Sequence, residues 1–394
     1  MVDYASSRPL PGARQGLGLL SFVRRLDLLL LGAVIAVVAY GVWGVAGITR
    51  FDVEGDEGYY VTRQLIAAAI GFAGLLLALA IDPDRYRRAQ LPIYAATIVL
   101  MLLVYPLAQE TRGSRRWIDL GPFQFQPSEF GKLLFILALA GFLVDRVRRL
   151  NRPDVVLQAV GLGLLPILLV FRQPDLGTAL VYVAALFACL LVAGLRWSYL
   201  IALLLAGLTV AASVVWLLPN AGIEVLEPYQ ADRLTGFLAP DSDPSGATYN
   251  VNQSMTAVGS GGLDGRGVTG ATQTRLDYLP EHSTDFVFAA FAEQRGFVGA
   301  ALLLGLYLLI VWRGLRVITI ARDHFSAVVA GGIVIAFLFQ VFINVGMTMG
   351  IAPVTGIPLP FVTVGGSSMV VNLVAMGVLL SIHARGTGGR RRAA

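Results

Sequence analysis

Long apolar stretches alternate with short polar connections along almost the whole chain. Each stretch is about 20 residues long, which is the length a helix needs to cross a hydrocarbon core of roughly 30 Å. Ten occur, near residues 27–47, 63–81, 91–107, 128–144, 155–171, 176–194, 199–219, 286–312, 326–350 and 365–383. Because backbone groups inside a bilayer must be satisfied internally, the pattern predicts an all-α polytopic membrane protein with ten transmembrane helices.

Composition agrees with this pattern. The chain is 56% hydrophobic and 14% charged, with a mean hydropathy of +0.71, which excludes a water-soluble domain. Cys189 is the only cysteine, and His282, His324 and His383 are scattered, so we expect neither a disulfide framework nor a zinc site.

Arginine is concentrated in the connections that follow the even-numbered stretches. These arginines are Arg85, Arg87, Arg88, Arg146, Arg148, Arg149, Arg152, Arg196, Arg313, Arg316, Arg322, Arg385 and Arg390 to Arg392. Since basic loops stay in the cytoplasm, we expect both termini to be cytoplasmic. Residues 1–26 would then be a cytoplasmic segment with an uncleaved signal anchor, 27–384 the membrane domain and 385–394 a basic tail. Topology and anionic lipids account for the basic charge, so we expect no nucleic-acid partner.

Two outer connections break the rule of short loops. Residues 109–126 carry Arg112, Arg115 and Arg116 beside Trp117, on the side where arginine is normally scarce. The second, residues 220–285, is rich in Gly, Asp, Ser and Gln but is interrupted regularly by apolar residues. Loops this long tend to be functional or disordered, and the apolar pattern predicts that this one is partly ordered.

Lys132 is the only lysine in a chain with 30 basic residues. It lies three positions after Glu129, so the two side chains share one helix face as a self-compensating pair. One interpretation is an interhelical clamp or a snorkelling lysine. The other is an anion site, formed with the nearby arginines, that suits a pyrophosphate.

A second group of polar residues precedes the eighth stretch. Glu281 and Asp285 are four apart, and Thr284 could cap the helix that follows. The first interpretation is a first-turn acid that stabilises the helix dipole. The sharper one makes Asp285 a general base at the mouth of a cavity, with Glu293 as a buried polar partner.

Two further segments carry candidate residues. Asp175 opens the sixth stretch, where an aspartate is usually a helix cap. The Pro- and Gly-dense segment 349–372 predicts irregular backbone that lines a cavity. Within it, Gly365, Gly366 and Ser367 could present backbone N–H groups to an anion.

Taken in order, these motifs resemble the SEDS family (shape, elongation, division and sporulation) of the RodA/FtsW type. The resemblance rests on RRWIDLGPFQFQPSEFGK, QPDLGTA, YQADRLTGFL, NQSMTAVGSGGLDGRG, LPEHSTDFVFAAFAE and GIPLPFVTVGGSS. It favours the elongation type through the short N-terminal region and the GSGGL-x-GRG run. It covers nearly the whole membrane region.

The resemblance implies a peptidoglycan glycosyltransferase in the bacterial cytoplasmic membrane. Such an enzyme polymerises lipid II into β-1,4-linked strands on the outer face and releases undecaprenyl pyrophosphate, with a class B penicillin-binding protein as partner. It implies that Asp285 is the catalytic base and that Arg116, Trp117, Glu129, Lys132 and Asp175 are important for activity. Glu281, Thr284, Gly366 and Ser367 are further candidate substrate contacts. A divalent cation, Mg²⁺ or Mn²⁺, is the expected helper, with no ligand set implied.

The chain departs from the family pattern at three places. Ser283 replaces the common His before Thr-Asp, with His282 displaced by one, so no role is carried over for that histidine. Thr363 and Val364 replace Ser-Tyr, where we expect a hydroxyl contact to be lost. Gln294 replaces the second Glu of an Ala-Glu-Glu run, leaving Glu293 as the candidate acid.

Two alternatives stay open at this point. Intramembrane ionisable residues and broken helices also mark a lipid flippase or secondary transporter. Against transport, the sequence shows no inverted repeat, and its charged motifs gather on one side of the membrane. A non-catalytic scaffold for a penicillin-binding protein would leave Asp285 dispensable.

Overall fold

The computed structural model describes residues 25–393 except 112–113, 120, 122–123, 224, 227–229, 232, 234–236 and 238–247. Within these residues ten helices are long and apolar enough to cross a membrane, which confirms the predicted count. They are α1 (Leu28–Ile48), α2 (Tyr59–Ala80), α3 (Gln90–Leu107), α4 (Pro127–Asp145), α5 (Pro153–Phe171), α6 (Leu176–Ala193), α7 (Trp197–Asn220), α8 (Val287–Ile320), α9 (His324–Thr348) and α10 (Gly366–Ala393). The apolar run of the predicted signal anchor is α1, and the basic segment before it lies almost entirely on residues 1–24, outside the described part.

The centre of the bundle is formed by α10, α4 and α9. Of the apolar part of α10, 94% is buried, against 6% for α7, which lies at the periphery. Helix α10 packs along α2, and small residues allow this close approach: a Cβ on Gly377 would lie 2.4 Å from the Leu75 carbonyl oxygen. The site residues on α4 are therefore held by the most buried part of the fold.

Helix α8 continues well past the predicted end of its apolar stretch, at residue 312. In the sequence, the charge of Arg313 interrupts the apolar stretch. In the structure, its guanidinium donates to both carboxylate oxygens of Asp27, the residue that caps α1. Similar ion pairs join Arg322 to Asp84 and Arg87 to Asp145. These contacts bring the arginine-rich connections together at one end of the bundle.

The opposite end carries a small antiparallel sheet, which the apolar pattern did not predict. Its strands are β1 (Gln109–Thr111), β2 (Ser114–Asp119) and β3 (Gln124–Phe125), in the order β1-β2-β3. Three such short strands are too brief to give an alternating pattern. They form the arginine-bearing connection between α3 and α4.

The long connection before α8 folds back onto that helix, so its predicted partial order is confirmed for the described residues. It contains a helix, Tyr249–Ser260, and two short helical turns, Gly267–Gly270 and Thr272–Arg275. Gly296 breaks α8 with φ +65°, and at this kink the N–H of Phe297 donates to the Gly262 carbonyl at 2.8 Å.

Candidate active site

Lys132 lies in the second turn of α4 and is paired within its own helix. Its Nζ lies 2.9 Å from each carboxylate oxygen of Glu129, and both side chains are buried. The helix begins at Pro127, so the pair is near the end of α4 that carries the sheet. The clamp and snorkelling interpretations are therefore wrong in detail: the ammonium neither crosses to another helix nor reaches the surface.

Arg116, in β2, reaches the start of α6. Its Nε donates to the Gln173 carbonyl at 3.2 Å, a second guanidinium nitrogen donates to the Pro174 carbonyl, and Nη1 lies 3.8 Å from Asp175 Oδ1. Trp117 is half-buried in the same strand and lies opposite Gln109. The side chain of Arg115, and Arg112 altogether, lie outside the described part of the chain.

Asp175 is buried and caps α6, as its position suggested. Its Oδ1 accepts from the Thr178 N–H at 3.0 Å, while Oδ2 accepts from Gln126 Nε2 at 3.0 Å. The carboxylate thus connects the start of α6 to the residue before α4. It also faces Arg116, so the same carboxylate caps α6 and contributes its charge to the group of charged side chains around Asp285.

Asp285 lies just before α8 and is held by its backbone. Asn344 of α9 donates to the Asp285 carbonyl at 3.0 Å and to the Ile357 carbonyl at 2.8 Å. The carboxylate faces Gly356: a Cβ on that glycine would lie 3.5 Å from Asp285 Oδ2 and 3.5 Å from Arg233 Nη1. The carboxylate and the guanidinium therefore converge on one glycine.

Thr284 does not cap α8, contrary to the sequence expectation. Its hydroxyl donates to Glu281 Oε2 at 2.8 Å, and the first residue of α8 has Phe286 before it with no side-chain cap. Glu281 has φ +55°, so the backbone turns sharply there, and this turn directs Thr284 back towards Glu281. The segment is a tight turn that presents Asp285, not a capping box.

Four charged side chains, from four parts of the chain, act electrostatically on Asp285. Burial raises the pKa of the Asp285 carboxyl above its ordinary value, and the charges of Glu281 and Asp175 act in the same direction. The guanidinium groups of Arg233 and Arg116 lower this pKa without cancelling the effect of burial. The structure thus brings Arg116, Asp175, Glu281 and Asp285 together. The Glu129–Lys132 pair is near this group, because the charges of Glu129 and Asp175 both act on Tyr182.

Sequence reasoning missed Arg233. It belongs to the YQADRLTGFL motif of the long connection, which was noted for its resemblance and not for any charged residue. A signal was present, since this arginine interrupts a stretch whose apolar residues predict order. Only the fold, which places the long connection over Gly356, reveals what it faces.

The segment between α9 and α10 is irregular and mostly buried, as predicted. The Thr363 hydroxyl donates to the Thr284 carbonyl at 3.1 Å and accepts from the Leu359 N–H at 2.8 Å. Threonine at 363 thus retains the hydroxyl that serine would supply, whereas Val364 has no hydroxyl where the family pattern has tyrosine, so the loss of that contact stays a prediction. These bonds attach the closing segment to the turn that carries Asp285.

Gly366 and Ser367 begin α10. The Ser367 hydroxyl donates to the Gln124 carbonyl at 2.8 Å and accepts from the Gln126 N–H at 2.9 Å, so it joins α10 to the segment before α4. Its hydroxyl is buried in this bracing role. The expected anion contact through these two residues stays a prediction.

Glu293 and His282 have structural partners. The Glu293 carboxylate accepts from the N–H groups of Gln273 and Thr274 and from the Thr274 hydroxyl, at 2.7–3.0 Å. It therefore holds the long connection against α8.

Nε2 of His282 lies 3.0 Å from Asp52 Oδ1. Burial lowers the pKa of His282, but the bond to Asp52 and neighbouring charges outweigh it, so the net pKa is raised.

A metal centre is not evident in the part of the chain that the structure describes. No three His, Cys, Asp or Glu side chains there are arranged to hold a metal ion. The acids around Asp285 alternate with guanidinium groups, which is a donor set that suits an anion better than a cation.

The chain was compared with known proteins. The profile of the FtsW/RodA/SpoVE cell cycle proteins matches residues 23–387. The peptidoglycan glycosyltransferase MrdB of Escherichia coli (strain K12) is 36% identical over 358 residues, which cover 90% of this chain and 92% of the relative. Stage V sporulation protein E of Bacillus subtilis (strain 168) is 37% identical over 368 residues, covering 92% and 96%.

Solved structures show the same similarity. A chain from a peptidoglycan synthase complex, described for its coordination of polymerization and crosslinking, has a TM-score of 0.77 and 32% identity, covering 92% of this chain and 98% of that chain. The rod shape determining protein RodA of Thermus thermophilus has a TM-score of 0.66 and 31% identity, covering 91% and 96%.

Proposed function

The chain belongs to the FtsW/RodA/SpoVE family and is a peptidoglycan glycosyltransferase, and we propose that Asp285 is its general base. The observation that carries this proposal is the convergence of the Asp285 carboxylate and the Arg233 guanidinium on Gly356. A base and a cation that lie next to the same glycine are what glycosyl transfer from a sugar diphosphate requires.

In the proposed reaction, the acceptor sugar hydroxyl of one lipid II attacks the anomeric carbon of a second lipid-linked glycan, at the point where the pyrophosphate is attached. The new β-1,4 C–O bond forms as the α-linked C–O bond to the pyrophosphate breaks, so the configuration inverts in one displacement. The hydroxyl proton passes to Asp285, and the bonding electrons leave with undecaprenyl pyrophosphate. A carboxyl whose pKa is raised towards neutral pH is a better proton acceptor than an ordinary aspartate.

The departing pyrophosphate needs positive charge close to Asp285. Arg233 and Arg116 supply it, since both act electrostatically on the Asp285 carboxyl. The Arg116 guanidinium donates to the Gln173 and Pro174 carbonyls, so it stabilises the leaving group by its charge from a fixed position. Lys132 has a different role in this proposal. Its ammonium is bonded to Glu129, and the pair stabilises the start of α4, close to the site.

A divalent cation, Mg²⁺ or Mn²⁺, is part of the proposal but not of any step derived above. Mg²⁺ bound to a phosphorylated substrate often takes only one or two protein carboxylates. The lack of a three-ligand cluster in the described residues is compatible with such a site. Such an ion would be held mainly by the pyrophosphate of the substrate, with Glu281 as its protein ligand.

We also propose the location and partner. The reaction takes place on the outer face of the bacterial cytoplasmic membrane. The position of the cluster, at the end of the bundle opposite the arginine-rich connections, supports this location. The similar chain that belongs to a peptidoglycan synthase complex supports a class B penicillin-binding protein as partner.

The test is glycan polymerisation from labelled lipid II by the purified protein with its cognate penicillin-binding protein. Wild type is compared with Asp285→Asn and with Asp264→Asn, which changes an exposed aspartate of the same long connection. We expect polymer from wild type and Asp264→Asn and at least 10²-fold less from Asp285→Asn, the lower end expected for a general base. Equal polymer from a folded Asp285→Asn would remove Asp285 from the chemistry.

A further inference from the structure

An apolar slot opens on the side of the bundle between α3, α4 and α5, far from Asp285. It has a volume of about 370 Å³ and lies at the arginine-rich end. Leu91, at its border, is 76% exposed. Because Leu91 belongs to a membrane-crossing helix, the slot opens sideways into lipid and not into water.

Arg146 stands at the mouth of this slot. Its guanidinium lies 4.0 Å from the centre of the Phe142 ring, and Nη1 donates to the Phe142 carbonyl at 3.4 Å. Both residues line the slot. The ring therefore holds the charged group over the entrance of an apolar cavity, where an exposed arginine would otherwise extend into water.

The charge at the mouth is positive. Asp145 is the nearby acid, but its Oδ1 accepts from Arg87 Nη2 at 2.9 Å and its Oδ2 accepts from Gln90 Nε2 at 2.6 Å. Its charge also attracts Arg146. Two guanidinium groups against one carboxylate leave a net positive rim.

The depth of the slot matches one lipid leaflet. Phe135 and Arg146, its two limits along α4, are eleven positions apart, which is roughly 16 Å in a helix. This is about half of a 30 Å hydrocarbon core. At the other wall, the Tyr94 hydroxyl donates to the Leu162 carbonyl at 2.9 Å and joins α3 to α5.

We propose that this slot binds one acyl chain of an anionic phospholipid from the leaflet that faces the arginine-rich connections. The acyl chain fills the apolar part, and the phosphate lies at the guanidinium of Arg146. Basic pockets between transmembrane helices are suited to such headgroups. The site is independent of the glycosyltransferase site, since none of its lining residues belongs to the Asp285 cluster.

The experiment is native mass spectrometry of the purified full-length protein after exchange into phosphatidylglycerol or phosphatidylethanolamine with identical acyl chains. Wild type is compared with Arg146→Gln and with Arg148→Gln, an exposed arginine of the same connection that does not line the slot. Two further variants separate the slot from the helix surface: Leu162→Trp fills the slot, and Leu168→Trp adds the same bulk to the exposed face of α5.

We expect wild type to retain phosphatidylglycerol in preference to phosphatidylethanolamine. In Arg146→Gln this preference should fall about fivefold, the effect of one basic residue near an anionic headgroup. Arg148→Gln and Leu168→Trp should behave as wild type, and Leu162→Trp should lose the retained lipid. No preference in wild type, or equal losses in Arg146→Gln and Arg148→Gln, would overturn the proposal. Retention of a polyprenyl phosphate in place of phosphatidylglycerol would overturn it as well.

Discussion

At the scale of single residues, Arg233 acts on both the base and the leaving group. It lowers the pKa of Asp285 and lies beside Gly356, which the Asp285 carboxylate also faces. Replacing it by Gln removes a cation next to the pyrophosphate, and we expect glycan polymerisation to fall by roughly 10²-fold. Because Arg233 lowers the pKa of Asp285, its loss should raise that pKa, and the acid limb of the pH–rate profile should move to higher pH.

The control for this prediction is Arg275→Gln, which removes an exposed arginine of the same connection. It should change neither the rate nor the profile. A slower Arg233→Gln enzyme with an unchanged acid limb would mean that Arg233 binds substrate without influencing the base. An acid limb that moves to lower pH would contradict the electrostatics described above.

The Glu129–Lys132 pair allows a second prediction at this scale. Removing one partner of a buried pair leaves an uncompensated charge, so Lys132→Met should destabilise the protein by about 3–5 kcal/mol. Replacing both residues with Met removes both charges and should restore most of that stability. Since the ammonium and the carboxylate are bonded to each other within α4, we expect the double variant to polymerise within about tenfold of wild type.

Thermal unfolding in detergent measures the first part, and polymerisation from lipid II measures the second. Lys132→Arg serves as a control that keeps the charge and changes its shape. A double variant that regains stability but makes no polymer would show that Lys132 or Glu129 contacts substrate. In that case the anion-site interpretation of the sequence would be correct after all.

At the scale of elements, the kink in α8 fixes the long connection in place. Gly296 has φ +65°, and a Cβ there would lie 2.3 Å from the Gly265 N. Gly296→Ala should therefore cost about 1–3 kcal/mol from backbone strain alone and should release the connection from α8. Hydrogen exchange should then rise over Tyr249–Ser260 and Thr272–Arg275.

Gly305→Ala is the matched control, because it lies in the same helix and a Cβ there meets no atom within 4 Å. Alanine at that position should stabilise α8 slightly, by up to about 1 kcal/mol. Unchanged exchange in Gly296→Ala would mean that the connection does not depend on the kink. Equal destabilisation by both variants would point to a general intolerance of α8.

The apolar pattern predicted the elements that depend on the membrane and missed those that depend on tertiary contacts. The ten helices were predictable because each needs a long apolar run, whatever it packs against. The end of α8 was not, because Arg313 is made compatible with a helix by the distant Asp27. The turn at Thr284 was not, because its hydroxyl prefers Glu281 to the helix N-terminus.

The same division holds for the site. Asp285, Arg116 and Asp175 were named from charge and position, and the fold brings them together. Arg233 was missed because its distance in sequence from Asp285 carries no information about contact. Lys132 was unusual enough to be noticed, yet its partner within the helix explains its burial without substrate.

At the scale of the whole molecule, the two ends of the bundle have different chemistry. One end joins its connections through arginine pairs such as Arg313–Asp27 and Arg322–Asp84. The other end carries the sheet, the long connection and the Asp285 cluster. The proposed function predicts that the second end faces outwards, and the positive-inside rule predicts the same orientation.

This orientation can be measured by labelling cysteines introduced into the connections, because the chain has only one cysteine of its own. Cys189 is the only cysteine and is fully buried in α6, so wild type should not react with a membrane-impermeant maleimide. Glu54→Cys, in the exposed connection between α1 and α2, should be labelled in spheroplasts. Arg149→Cys, exposed in the connection between α4 and α5, should be labelled only after the membrane is permeabilised. The reverse pattern would place Asp285 in the cytoplasm, where the polymer could not join the wall, and the proposed function would then fail even if lipid II were polymerised in vitro.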